Sequence, residues 1–129
     1  MLRPKKIHHI AVIVSDYSKS KEFYTEILGL KILQEVYRKE RGSYKLDLAV
    51  NDMYQIELFS FPNPPARTSR PEACGLRHIA FEVENIEASA EALTIKGVEV
   101  EPIRIDPFTE KKFTFFADPD GLPIELYEG

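Results

Sequence analysis

The sequence predicts an α+β fold made from two copies of one unit, a strand, a helix and then further strands, and three observations carry that reading. His9-Ile-Ala11 recurs as His78-Ile-Ala80, and Ile56-Glu-Leu58 recurs as Ile124-Glu-Leu126. The two His stand 69 residues apart and the two Glu 68, so one ancestral unit is present twice, nearly in register. Between these anchors Asp16 matches Asn85, Ser20 matches Ser89 and Glu22 matches Glu91; after a one-residue gap Gly29 matches Gly97, each suited to closing a helix. Finally, the hydrophobic period changes from strand-like to helix-like and back in the same order in both halves.

Taken in order, residues 7–14 are rich in Ile and Val and predict a first strand. Asp16 offers a helix cap, and over residues 18–28 the apolar Phe23, Tyr24, Ile27 and Leu28, with Tyr17 ahead of them, recur at helical spacing until Gly29. Phe23 and Tyr24 are read as helix-core residues. Strands follow at 31–38, 43–50 and 54–60, separated by the polar breaks Lys39 to Gly42 and Asn51-Asp52. Residues 61–71 contain Pro62, Pro64, Pro65 and Pro71, which a helix or interior strand does not tolerate, so this stretch reads as a stiff linker. The second copy predicts a strand at 76–83, a helix near 86–96, Gly97, and strands near 98–105, 112–117 and 123–127. Asp118-Pro-Asp-Gly121 is a turn signal, since Pro119 presets the bend and Gly121 accepts positive φ.

With 129 residues and 43% hydrophobic content the chain suits a single domain, 1–129, with module one at 7–61, a Pro-rich linker at 62–75 and module two at 76–128. The formal charge is −4 with both signs interspersed, so neither nucleic acid nor a membrane surface is an expected partner. No signal peptide or apolar span is evident, and the single Cys74 fits a reducing compartment; a cytoplasmic location is expected. Cys74 has no second Cys or adjacent His and reads as an inert thiol.

Strand alternation places His78, Ala80 and Glu82 opposite Ile79, Phe81 and Val83, and His9, Ala11 and Ile13 opposite Ile10, Val12 and Val14. Likewise Gln55, Glu57 and Phe59 oppose Ile56 and Leu58, and Glu125 and Tyr127 oppose Ile124 and Leu126. If both sheets curve the same way, His9, Glu57, His78 and Glu125 converge on one concave surface. Two neutral imidazoles and two carboxylates are ligands that a borderline divalent ion accepts, and their charge balances it. A lone His or Glu in a strand is ordinarily structural or solvated; matched placement in a repeat favours the ligand reading. His8 falls on the helix-facing side by parity and reads as structural, and Asp118 and Asp120 are explained by their turn.

His9-Ile-Ala-Val12 with Asp16, Phe23-Tyr24, Leu28-Gly29, Ile56-Glu-Leu58, Arg77-His-Ile-Ala80 and Asp118-Pro-Asp-Gly-Leu-Pro-Ile-Glu125 together resemble the vicinal oxygen chelate superfamily in its glyoxalase I-like branch, over nearly the whole chain. The resemblance implies two βαβββ modules forming a curved mixed-sheet cup, one divalent metal held at His9, Glu57, His78 and Glu125, and a homodimer. Nickel or zinc is the expected ion, with cobalt or manganese as substitutes.

Such a site has two positions left for adjacent substrate oxygens, and a glutamate that loosens from the ion can act as general base. The implied reaction is that of lactoylglutathione lyase, isomerisation of a hemithioacetal or a small α-hydroxycarbonyl compound, with Glu125 as first-choice base and Glu57 as its symmetric counterpart. Bacterial glyoxalase I sequences carry an Arg and an Asn for glutathione where this chain has Ile13 and Phe61, so a different thiol or a thiol-free substrate is expected. Ile13, Phe59 and Tyr127 give the cup an apolar component. Arg38, Arg41, Arg67, Arg70, Arg77, Arg104, Lys111 and Lys112 are cations available to an anionic substrate, although each alone reads as a solvated charge. Competing readings are a fosfomycin-type thiol transferase, an epimerase, a ring-cleaving dioxygenase using His9, His78 and Glu125, and a small-molecule-binding protein of the same fold.

Overall fold

The structure, a computed structural model, describes residues 1–129. Its chain divides into two compact units, Met1–Ala66 and Arg67–Gly129, each carrying one mixed four-stranded sheet.

In the first unit β1 (Ile10–Val14), β2 (Lys31–Arg38), β3 (Ser43–Val50) and β4 (Met53–Ser60) lie in the order β1-β4-β3-β2. β1 runs parallel to β4, and the other neighbours are antiparallel. The helix α1 (Tyr17–Glu22) starts where the Asp16 carboxylate accepts the Lys19 N–H at 3.1 Å. Its continuation, Phe23–Ile27, widens into a π-helical turn in which the Leu28 N–H reaches the Phe23 carbonyl. The predicted single helix over 18–28 is thus a short α-helix followed by a wider turn, and both Phe23 and Tyr24 are buried. Val12, Val14, Leu46, Leu48, Ile56 and Leu58 complete this core.

The second unit repeats the plan. β5 (Ile79–Val83), β6 (Arg104–Ile105), β7 (Lys112–Ala117) and β8 (Pro123–Glu128) lie in the order β5-β8-β7-β6, with β5 parallel to β8. Helix α2 (Ile86–Ile95) is capped by Asn85, which accepts from the Ala88 N–H, and it packs against β7 and β8. The repeat extends to single bonds: the Ser20 N–H reaches the Asp16 carbonyl and the Ser89 N–H the Asn85 carbonyl, both at 3.0 Å. Ladder register repeats as well, Ala11 standing beside Glu57 and Ala80 beside Glu125.

Two expectations need correction. Both leading strands begin later than predicted, at Ile10 and Ile79, so His9 and His78 lie one residue ahead of their ladders. The strand expected near 98–105 shrinks to Arg104–Ile105. Glu101 already bonds to β7, its N–H to the Phe115 carbonyl and its carbonyl to the Thr114 hydroxyl, but Pro102 has no N–H and interrupts the ladder. The proline-rich segment forms no strand or helix, yet its later part is anchored in the second unit. There Arg67 Nη2 donates to the carbonyls of Leu76 and Arg77, and the Ser69 hydroxyl donates to that of Gly121. The turn at Asp118 is as read: Asp118 Oδ1 accepts from the N–H groups of Asp120 and Leu122, and Gly121 has φ of 81°.

Candidate functional site

Each unit brings one imidazole and one glutamate together. His9 Nε2 lies 3.0 Å from Glu57 Oε2, and His78 Nε2 lies 3.3 Å from Glu125 Oε1. Because Ala11 faces Glu57 and Ala80 faces Glu125, a His two residues earlier falls on the same sheet face as the Glu. Alternation explains why the hydrophobic neighbours Ile56, Leu58, Ile124 and Leu126 are buried on the other side.

Two ligand atoms each about 2.1 Å from one ion and roughly 90° apart stand about 3.0 Å from each other. Both pairs have that separation, which equally serves a hydrogen bond between the two groups. The other His78 nitrogen, Nδ1, is buried without a hydrogen-bond partner, so Nε2 alone is placed with Glu125. Nowhere do three or more His, Cys, Asp or Glu side chains gather in a metal-binding group, so the donors stand as two pairs, one per unit.

The two pairs differ sharply in surroundings. On the Glu57 face, Asp47 of β3 is the direct neighbour, and both residues are buried. Lys45 Nζ lies 2.9 Å from Asp47 Oδ1 and 3.7 Å from Glu57 Oε1, and the Tyr54 hydroxyl donates to Glu57 Oε2 at 2.6 Å. Burial first, then the bond to Glu57 and the neighbouring Asp47, push the Tyr54 hydroxyl well above the ordinary tyrosine range, so it remains a donor. At Glu125 the β3-equivalent neighbour is Phe115, whose ring meets His78 edge-on with centroids 5.2 Å apart. Glu57 is therefore tethered by charged and hydroxyl partners, whereas Glu125 has His78 and an aromatic wall.

Sequence reasoning missed Tyr54, Lys45 and Asp47. Tyr54 would face away from Glu57 in a regular strand. Leu48 pairs with Ile56 but Ala49 pairs with Tyr54, so Gln55 is an extra residue and the bulge turns Tyr54 onto the Glu57 face. His8 is also different from its reading: it is exposed, not helix-facing, and its Nδ1 lies 2.9 Å from His9 Nδ1, which orients that ring. Asp120 and Asp118 stay in their turn, and Cys74 is exposed. Tyr127 bonds to Asp106 and Thr109. Ile13, 57% exposed, does lie on the face with Glu57 and Phe59.

Residues 6–126 match the model of the glyoxalase/bleomycin resistance protein/dioxygenase superfamily, and the chain belongs to that family. The uncharacterised protein YwkD of Bacillus subtilis is 63% identical over 96% of this chain and 97% of its own length. YaeR of Escherichia coli, likewise uncharacterised, is 60% identical over 99% of both chains. A crystal structure of a glyoxalase family protein from Enterococcus faecalis superposes with a TM-score of 0.88 at 51% identity, over 96% of this chain and 98% of that one. Among more distant relatives are a probable lactoylglutathione lyase of Vibrio cholerae, 34% identical over 95% of this chain and 90% of its own, and an Actinomyces 2-epi-5-epi-valiolone epimerase, 29% identical over 93% and 77%. A Staphylococcus saprophyticus metallothiol transferase, FosB, is 33% identical over 97% and 78%. No helix is long and apolar enough to cross a membrane.

Proposed function

We propose that this chain is a divalent-metal-dependent enzyme that moves a proton on a hemithioacetal or a small α-hydroxycarbonyl compound, a lyase or isomerase reaction of the lactoylglutathione lyase type. The observation that carries this reading is the pair of repeat-matched imidazole and carboxylate donors, His9 with Glu57 and His78 with Glu125, at chelating separations of 3.0 and 3.3 Å. Each pair would offer two donors to such an ion, which would supply Lewis-acid polarisation of the substrate oxygens when bound. Nickel or zinc suits the donor set, with cobalt or manganese as alternatives. The probable lactoylglutathione lyase among the relatives supports the reaction class. A cytoplasmic homodimer acting on a small molecule completes the reading.

The contrast between the pairs supports a division of labour. Glu57 is held by Tyr54, Lys45 and His9, which suits a fixed ligand. Glu125, with a side chain 15% exposed and an aromatic neighbour, is better placed to take a proton from the carbon beside a carbonyl and return it to the next carbon. Ile13 and Phe61 in place of polar anchors argue for a substrate other than the glutathione adduct, since each buried charge left unpaired costs about 1 to 3 kcal/mol. Epimerase chemistry, represented among the relatives, shares the proton abstraction beside a carbonyl but returns a proton to the opposite face of the same carbon, and is the second reading.

Glu125→Gln, assayed against 2-oxoaldehydes with several thiols and against α-hydroxycarbonyl compounds, is the test. Turnover should fall by about a hundred- to ten-thousandfold while most of the bound metal, measured by elemental analysis, is retained. Full activity in Glu125→Gln removes the assigned base, and protein without stoichiometric metal after reconstitution removes the metal-dependent reading altogether.

A further inference from the structure

We infer that Arg38 is the anchor for an anionic group on the substrate, a carboxylate or a phosphate, bound over an aromatic platform beside Glu57. The assignment rests on the reading of the Glu57 face as the substrate face. Arg38 closes β2 opposite Ser43, two positions along β3 from Lys45, which itself faces Phe59, so all four side chains share the face that carries Glu57. The guanidinium carbon lies 4.7 Å from the centroid of the Phe59 ring and 5.6 Å from that of Phe61, and the two rings are within 13° of parallel. Arg38 Nη2 donates to the Ser43 hydroxyl at 2.8 Å, and Ser43 is fully buried. The fork is thereby fixed in direction before any ligand arrives.

What the fork lacks is an anion. Arg38 Nε is buried with no hydrogen-bond partner, and no carboxylate lies within ion-pair distance of the guanidinium. Three other cations on these sheets are matched by carboxylates: Lys45 with Asp47, Arg104 over Phe113 with Glu101, and Lys112 with Glu87. A guanidinium held against two aromatic rings with an unmet donor is costly unless an oxyanion completes it, and Arg forms the charge-assisted pair best suited to carboxylate or phosphate.

Phe59 follows Glu57 by two residues on one face, roughly 7 Å at strand rise. A substrate whose anionic group sits on the Arg38 fork spans that distance to reach Glu57, with Ile13, which faces Phe59 on β1, as an apolar wall. The inferred class is a short-chain carbonyl or hydroxycarbonyl compound carrying a terminal carboxylate or phosphate.

Titration calorimetry of the purified protein with inorganic phosphate and, separately, with acetate tests this without relying on turnover, and so is independent of the Glu125→Gln result. At least one of the two should bind, and which one identifies the anion. Arg38→Met should weaken that binding by about 10- to 100-fold, the loss of a charge-assisted hydrogen-bonding anchor. Ser43→Ala, a small change that frees Nη2, should weaken it severalfold and serves if Arg38→Met does not fold. Binding of neither anion by the unmodified protein, or equal affinity in Arg38→Met or Ser43→Ala, overturns the assignment.

Discussion

Replacing Tyr54 by Phe removes one oxygen from the Glu57 cluster and tests whether that cluster is a designed tether. The Glu57 side chain is 7% exposed, and the Tyr54 hydroxyl at 2.6 Å is its shortest contact, ahead of His9 at 3.0 Å and Lys45 at 3.7 Å. Hydrogen bonds to charged groups contribute about 1.5 to 3 kcal/mol, and because Tyr54 is only partly buried the lower end applies, about 1.5 kcal/mol. With a urea m-value of about 1.5 kcal/mol/M, the unfolding midpoint should fall by about 1 M with the slope unchanged. Glu57→Gln in the Tyr54→Phe background should show a coupling of about 1 kcal/mol in a double-mutant cycle, because each change removes the same contact. On the proposed metal role, Tyr54→Phe should also weaken the bound ion by about tenfold, as loss of a group orienting a ligand does. A midpoint shift under about 0.3 M together with zero coupling would refute the tether.

The Tyr17 hydroxyl donates to Glu35, and burial first, then that bond, push it well above its usual range. A folded pKa above the unfolded value near 10 means the contribution is intact below about pH 10 and is lost as pH rises from there toward the folded value. Urea midpoints should therefore hold between pH 8 and about 9.5 and decline above about pH 10, with a shallower decline in Tyr17→Phe; an identical slope in the two proteins would reject the linkage. Asn85→Ala removes the cap of α2 and should cost about 1 kcal/mol by thermal unfolding, whereas Asn85→Asp should retain most of it. Equal losses in the two Asn85 variants would mean that the side-chain acceptor does not matter there.

Local signals made a good part of this molecule legible. The strands at 31–38, 43–50 and 112–117 fall where alternation and polar breaks placed them, because each is bounded by turn residues that end the period sharply. Asp16 was recognisable as a cap from residue type and position, and Asn85, its match in the repeat, caps the second helix in the same way. Pro102 was visible too, but its effect depended on β7 lying alongside, since a missing N–H matters only where a ladder demands one.

The sequence by itself determined the duplication, the two sheets, and the common face of His9 with Glu57 and of His78 with Glu125, since repeat spacing and side-chain alternation are local properties of the chain. Only the tertiary structure decided which neighbours those residues meet. Asp47 beside Glu57 and Phe115 beside Glu125 are set by antiparallel register, and one extra residue at Gln55 reverses the direction of Tyr54. Arg38 over Phe59 and Phe61 joins residues more than 20 positions apart. Register, bulges and cross-strand stacking arise from pairing between distant segments, so they give the two otherwise matched halves different chemistry that no pattern along either half could reveal.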